Sequence, residues 1–130
     1  MKDVTHTPLF ESMMTGEIDG HPYDFHNDYQ CIKIHLNGAE KKLQLRFIND
    51  DYKIIVEFHQ VTVTSFAISP EKAGETGILD QFYRGRFKFN NNLHEISSSG
   101  KYYYYLALLE NDTIELLAKR VTMAISRLNS

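Results

Sequence analysis

The sequence predicts an all-β, or mainly β, protein: an antiparallel β-sandwich or half-open barrel of roughly six to eight strands. Three observations carry this. Ile32-Lys33-Ile34-His35-Leu36 is followed by Asn37-Gly38 and then by Leu43-Gln44-Leu45-Arg46-Phe47, so apolar and polar residues alternate on both sides of a turn pair. Side chains alternate across a strand, which places Ile32, Ile34 and Leu36 on one face with Leu43, Leu45 and Phe47 and leaves Lys33, His35, Gln44 and Arg46 in water. The alternation then resumes over Lys53–His59, and four consecutive tyrosines, Tyr102 to Tyr105, sit inside a long aromatic run, a composition suited to a pleated surface.

Taken in order, residues 1–28 form an acidic lead-in, with Lys2 as their only Lys or Arg against Asp3, Glu11, Glu17, Asp19, Asp24 and Asp28. Thr7-Pro8-Leu9-Phe10-Glu11 suits a short helix start, with Thr7 as N-cap, Pro8 in the first turn and Leu9, Phe10, Met13 and Met14 as its packing side. An edge strand is the competing reading. Gly16, Gly20 and Pro22 interrupt regular structure before the first strand near Tyr29, where the β core of residues 29–130 begins.

Asn49-Asp50-Asp51 makes the next turn, after which Ile54, Val56 and Phe58 point inward and Lys53, Glu57 and His59 outward. Holding that phase would bury Gln60, whereas Val61, Val63, Phe66 and Ile68 need burial, so a bulge or break is expected around Gln60 or Ser65. Ser69 to Gly77, with Pro70, Gly74 and Gly77, reads as a loop and as the longest candidate for a functional segment. A strand is expected over Phe82 to Phe89, with Tyr83, Phe87 and Phe89 on one side and Arg84, Arg86 and Lys88 on the other. A short strand over Leu93–Ile96, a turn at Ser97–Gly100 and the aromatic strand Lys101–Leu109 follow. Residues 113–128 fit either a helix, with Ile114, Leu117, Ala118, Val121, Ile125 and Leu128 as its stripe, or a terminal β-hairpin, since Val121, Met123 and Ile125 alternate with Thr122, Ala124 and Ser126. The hairpin is the favoured reading.

At 130 residues, with 42% hydrophobic and 24% charged residues, the chain suits a single domain able to bury a core without disulfides. Its lone cysteine, Cys31, excludes an internal disulfide and a four-cysteine zinc site. Alternation places Cys31 with Lys33 and His35 on the solvent side, where a reactive thiol is one reading. A net charge of −3 offers no electrostatic footprint for nucleic acid. No signal-peptide core or membrane-length apolar run is present, so a soluble, cytoplasmic protein is expected, and Asn111-Asp112-Thr113 reads as turn chemistry rather than a glycan acceptor.

No motif forces a catalytic arrangement on His26, His35, His59 or His94, and no serine stands in a nucleophile elbow. No cofactor is called for, and the chain reads as a non-enzyme. The densest potential ligand set is His21, Asp24, His26 and Asp28, which could serve a metal-dependent hydrolase. Its spacing matches no standard zinc or calcium motif, and a polar turn orienting Phe25 and Tyr29 into the core is the plainer reading. Arg84, Arg86 and Lys88 make a short basic stripe. The four tyrosines put rings on both faces of one strand, so one face is core and the other needs a cover or a partner. Tyr and Arg are common interface anchors.

Asp24-Phe25-His26-Asn27-Asp28, the Ile32–Leu36 strand, Val56-Glu57-Phe58-His59-Gln60-Val61 leading to Phe66, and Ile114-Glu115-Leu116-Leu117-Ala118-Lys119-Arg120-Val121 together resemble small all-β immunity proteins of bacterial polymorphic toxin systems. The chain departs from that pattern at Asn27, where an aspartate would follow the histidine, and in having no tryptophan. The resemblance implies a stoichiometric inhibitor with no catalytic residues. The expected binding residues are accordingly Asp19, Asp24 and Asp28 of the acidic lead-in with Arg84, Arg86, Tyr102 and Tyr104, meeting a protein partner such as a toxin domain; a homodimer is also open. The alternative is a small-ligand carrier whose barrel interior is lined by Phe82, Phe87, Tyr103 and Tyr105.

Overall fold

The computed structural model describes residues 1–8, 11–67, 77–90, 92–95, 97–98, 100–108 and 112–128, with side chains at all of these except 86–89, 92–95 and 98. The described residues form β1 (Lys2–Asp3), β2 (Thr15–Ile18), β3 (His21–Asp24), a single helical turn α1 (Phe25–Asp28), β4 (Gln30–Asn37), β5 (Lys42–Ile48), β6 (Tyr52–His59), β7 (Thr62–Ala67), β8 (Leu79–Arg84), β9 (Arg86–Phe89), β10 (Asn92–Glu95), β11 (Ser97–Ser98), β12 (Lys101–Leu108), β13 (Asp112–Ala118) and β14 (Arg120–Arg127). The fold is mainly β, and every strand pairing is antiparallel.

Two five-stranded sheets hold the core. The first runs β1-β14-β6-β5-β4; the second runs β11-β12-β13-β7, with β8 also paired to β12. Neither closes into a barrel. Two ribbons, β2-β3 and β9-β10, complete the pairing. Leu43, Leu45, Phe47, Ile54, Val56, Phe58, Val121 and Met123 of the first sheet share one buried cluster with Phe82, Tyr104, Leu106, Ile114, Leu116 and Ala118 of the second. Phe58 joins the two layers, its ring 5.9 Å from Phe82 and 5.6 Å from Tyr104, spacings typical of tilted aromatic pairs.

The sheets are joined where two strands change layer side by side. β6 passes to β7 through Gln60, which adopts φ +55°, and β13 passes to β14 through Lys119. Lys119 N donates to His59 O at 3.0 Å and Val61 N to Lys41 O at 2.9 Å, so backbone groups at the corner remain satisfied. The break expected at Gln60 is therefore the corner of the sandwich. A second irregularity lies next to Ser65, where the pairing with β13 shifts between Glu115 and Leu116 and leaves Thr64 as the extra residue. Phe66, expected to be buried, is 54% exposed on this edge strand; Ile68 lies outside the described residues, as does the 69–76 stretch of the expected loop.

The opening hairpin is present with two corrections. Its connection spans Gly38–Lys41, with Lys41 at φ +54° and Asn37 Oδ1 accepting from Glu40 N at 3.2 Å. A bulge then leaves Ile32 unpaired between Cys31 opposite Phe47 and Lys33 opposite Arg46. The extra residue reverses the phase of the strand's first part, so Cys31, not Ile32, faces the core and is buried. Backbone bonds in both directions with Gly77, 2.7 and 2.9 Å, fix it there. Leu36, at the hairpin's far end, is 52% exposed.

Residues 113–128 are two strands broken at Lys119 rather than a helix, but the strands form no hairpin with each other: β13 pairs with β12 and β7, whereas β14 pairs with β6 and β1. The lead-in has no helix at 7–14 among its described residues. Met13 and Met14 are buried in an extended stretch, Met13 N donating to Phe82 O at 2.8 Å. Val4, Ile18, Tyr23 and Phe25 join the same cluster as the 29–130 core, and Phe25 lies 4.4 Å from Phe47. The lead-in thus covers one side of the sandwich.

Candidate functional site

The residues from His21 to Tyr29 form a capped turn. Asp24 caps α1, its Oδ1 accepting from His26 N and Asn27 N at 3.1 Å each and its Oδ2 from Asn27 Nδ2 at 2.8 Å. These bonds hold its carboxyl below the usual carboxylate range, Asn27 contributing most. Phe25 and Tyr29 are thereby turned into the core. His26 Nδ1 lies 3.3 Å from Leu79 O and 3.8 Å from Asp80 Oδ1, and His21 packs its ring 5.3 Å from Tyr52. The potential ligand set of His21, Asp24, His26 and Asp28 does not assemble: no group of three or more His, Cys, Asp or Glu able to hold a metal occurs among the described residues.

Asp19 is exposed at the β2-β3 turn, at φ +50° with its Oδ2 2.9 Å from the Met1 amino nitrogen, and Asp28 is exposed at the end of α1. Asp19 is thus ion-paired and Asp24 committed to capping, and both Asp19 and Asp28 are exposed.

Arg84, Tyr102 and Tyr104 face inward, which corrects their expected surface role. The register sets Arg84 opposite Tyr104 and Phe82 opposite Leu106, so all four share the core side of the second sheet. Tyr104 is fully buried and donates to Thr5 O at 2.9 Å. Arg84 Nη1 donates to the same oxygen at 3.3 Å, and its guanidinium lies 5.3 Å from the Tyr102 ring centre. Tyr102 packs against the core with His6 edge-on at 5.5 Å. Thr5, itself buried, also accepts Val121 N on Oγ1 at 3.0 Å. Its hydroxyl donates to Asp3, and this bond, more than the one from Thr5 N, lowers the Asp3 pKa. Thr5 therefore ties the lead-in to both sheets. The basic stripe is interrupted because Gly85 ends β8 and β9 pairs with β10 instead; the Arg86 side chain lies outside the description.

The opposite face of the second sheet carries the exposed aromatic chemistry. Tyr105 stands directly between Tyr83 on β8 and Glu115 on β13. Tyr83 and Tyr105 rings lie 5.2 Å apart at 33°. Tyr103, one row along and opposite Leu117, donates its hydroxyl to Glu115 Oε1. All four are half-buried. Burial first, and then the bond to Glu115, raise the Tyr103 pKa, so it remains a phenol and a donor. No protein-family model, curated protein or solved structure is significantly similar to this chain.

The same register separates the residues of the carrier reading. Phe82 is core, while Tyr103 and Tyr105 lie on the outer side, so no single interior is lined by them; the Phe87 side chain is outside the description. The clefts beside the lead-in, about 480 Å³ against Lys2, His6, Glu11 and Tyr23 and about 340 Å³ against Ser12, Met14 and Tyr83, are surface features rather than a barrel cavity.

On the first sheet, His59 Nε2 is 3.1 Å from Thr122 Oγ1 and 3.6 Å from Glu57 Oε1, and Gln44 Nε2 donates to Glu57 Oε2 at 2.9 Å. His35 shares this face but is separated from β6 by β5. Both acidic and hydroxyl contacts fall on the same imidazole nitrogen, which is not the relay a general base requires. The alternation of Tyr102–Tyr105 was the one sequence signal for the outer patch. Glu115 and Tyr83 join it only through pairings between strands distant in sequence.

Proposed function

We propose that this chain is a non-enzymatic protein-binding domain that recognises its partner through the outer face of the second sheet. The observation that carries this reading is the grouping of Tyr103 and Tyr105 with Tyr83 and Glu115 on one half-exposed sheet face. Tyrosine offers large contact area, a polar tip and little rotamer entropy to lose, the properties that make it an interface anchor. Exposed Asp19 and Asp28, in a chain of net charge −3, would steer a basic partner and raise its association rate more than its final affinity. In its most specific form the reading is a cytoplasmic, stoichiometric inhibitor of immunity type, in keeping with the sequence resemblance; that form rests on the resemblance alone.

Native mass spectrometry of the protein drawn from its own host's lysate tests the reading. The expected result is a stoichiometric protein adduct that is lost in a Tyr103→Ala/Tyr105→Ala variant still folded by circular dichroism. A bare monomer under conditions where every candidate partner is expressed, or an adduct indifferent to both tyrosines, would overturn it. Reversing Asp19 and Asp28 to lysine should slow association with the captured partner at low salt.

A further inference from the structure

We infer that the Tyr105–Glu115 patch is a receptor for an arginine side chain presented by the partner. This rests on the protein-binding reading and specifies the chemistry that the face accepts.

The argument starts from Glu115. Its carboxylate is half-buried on a sheet face, and no ion pair joins it to a cation among the described residues. Lys101, on the same side of β12, has its ammonium on Thr62 Oγ1 at 2.8 Å. The Tyr103 hydroxyl donates to Oε1, while Oε2 accepts no hydrogen bond among the described residues. Tyr103 thus fixes the carboxylate's orientation and leaves one oxygen for an incoming donor. Directly across the ladder stands Tyr105, its ring tilted against that of Tyr83. A negative carboxylate beside the electron-rich faces of tyrosine rings is complementary to a cation on two counts, charge and quadrupole.

Among cations, guanidinium fits better than ammonium. It is planar enough to lie on a ring, weakly hydrated enough to enter a half-buried site, and able to direct N–H groups to carboxylate while stacked. The other occupants are disfavoured by the same charge. A two-fold contact between copies centred on Glu115 would bring two carboxylates together, and phosphate-bearing surfaces would meet that carboxylate as well.

The site can be tested without the partner by following Tyr103 and Tyr105 ring resonances while adding N-acetyl-arginine amide, with N-acetyl-citrulline amide as the neutral isostere. The expected result is a saturable shift with the arginine probe, weakened about fivefold or more by citrulline and by Glu115→Gln. Glu115→Gln keeps an acceptor for Tyr103, and an unchanged melting temperature would confirm the fold. No shift, or equal shifts from both probes, overturns the inference. Its failure is distinct from failure of the broader reading: a captured partner that binds Glu115→Gln as tightly as the parent refutes the arginine receptor while leaving protein binding in place.

Discussion

Gly85 and Tyr103 share one volume: a Cβ added at Gly85 would lie 2.1 Å from Tyr103 Cδ1 and 2.4 Å from Cε1. The contact is possible because Gly85 N donates to Tyr103 O at 2.9 Å, holding the glycine backbone against the ring. The end of β8, the placement of Tyr103 and the orientation of Glu115 are therefore one structural unit.

Gly85→Ala should destabilise the fold by about 1–3 kcal/mol, the usual effect of overpacking a well-filled position. The added methyl has no room unless the ring moves, and a moved ring releases Glu115. In a double-mutant cycle with Tyr103→Ala, the cost of Gly85→Ala should fall to well under half. Urea denaturation of the four proteins measures this, and strictly additive costs would show that the ring does not occupy that volume.

Thr5 is the second point at which distant segments meet. Tyr104→Phe removes one of two donors to its carbonyl while keeping the ring in the core, so a loss of about 0.5–1.5 kcal/mol is expected. Thr5→Val retains shape but leaves Val121 N without its 3.0 Å acceptor, and should cost about 1–3 kcal/mol because the group is buried. If Thr5→Val were neutral in chemical denaturation, the lead-in would not be anchored through this side chain.

How much of this was legible depended on whether a feature was local. The alternation of Leu43, Leu45 and Phe47 and of Ile54, Val56 and Phe58 states its own face, and Gln60 announced the corner by breaking that phase. Cys31 was misplaced because a one-residue bulge inverts the phase, and nothing in Cys31-Ile32-Lys33 marks it. Which tyrosine pair faces inward stayed open, and Tyr102 and Tyr104, the expected binding residues, are the inward pair; a fully aromatic strand has no contrast between its faces. Only the register with Leu116, Ile114 and Phe82 decides which side is core. Glu115 could not be assigned to the patch from sequence for the same reason.

Cys31 should behave as an inert core thiol. Burial pushes its pKa up to about 12, only partly offset by a backbone hydrogen bond at Lys33. At pH 8 its reaction with Ellman's reagent in the native protein should be roughly a hundredfold or more slower than that of a free thiol, rising to the free rate in denaturant. Rapid stoichiometric labelling of the folded protein would contradict the bulge that turns Cys31 inward.

His59 should make stability sensitive to mild acid. Burial is the main cause of its lowered pKa, reinforced by Arg120 and opposed by Glu57. The unfolded chain takes up a proton near pH 6.5 that the folded protein resists, so the unfolded state binds more protons as pH falls below that value. Stability from this group is then full above about pH 6.5 and declines as pH drops toward the folded pKa, below which it becomes flat. The difference between urea midpoints at pH 7.5 and 5.5 should shrink in His59→Gln. An unchanged difference would assign the acid sensitivity to other groups.

Gln60 turns the chain from one sheet to the other in the left-handed region, at φ +55°, where a residue with a Cβ is strained by about 1–2 kcal/mol. Glycine lacks that strain but loses more chain entropy on folding. The two effects oppose each other, and because the corner is held by His59 O and Val61 N in backbone bonds, the backbone cannot relax to a negative φ without breaking them. Relief of strain should therefore win: Gln60→Gly is expected to be neutral or to stabilise by up to about 1 kcal/mol, while Gln60→Val, whose branched Cβ is least tolerated there, should destabilise by more than about 1 kcal/mol. Thermal melts of the three proteins decide this, and Val tolerated as well as Gly would mean that the corner does not depend on the left-handed conformation.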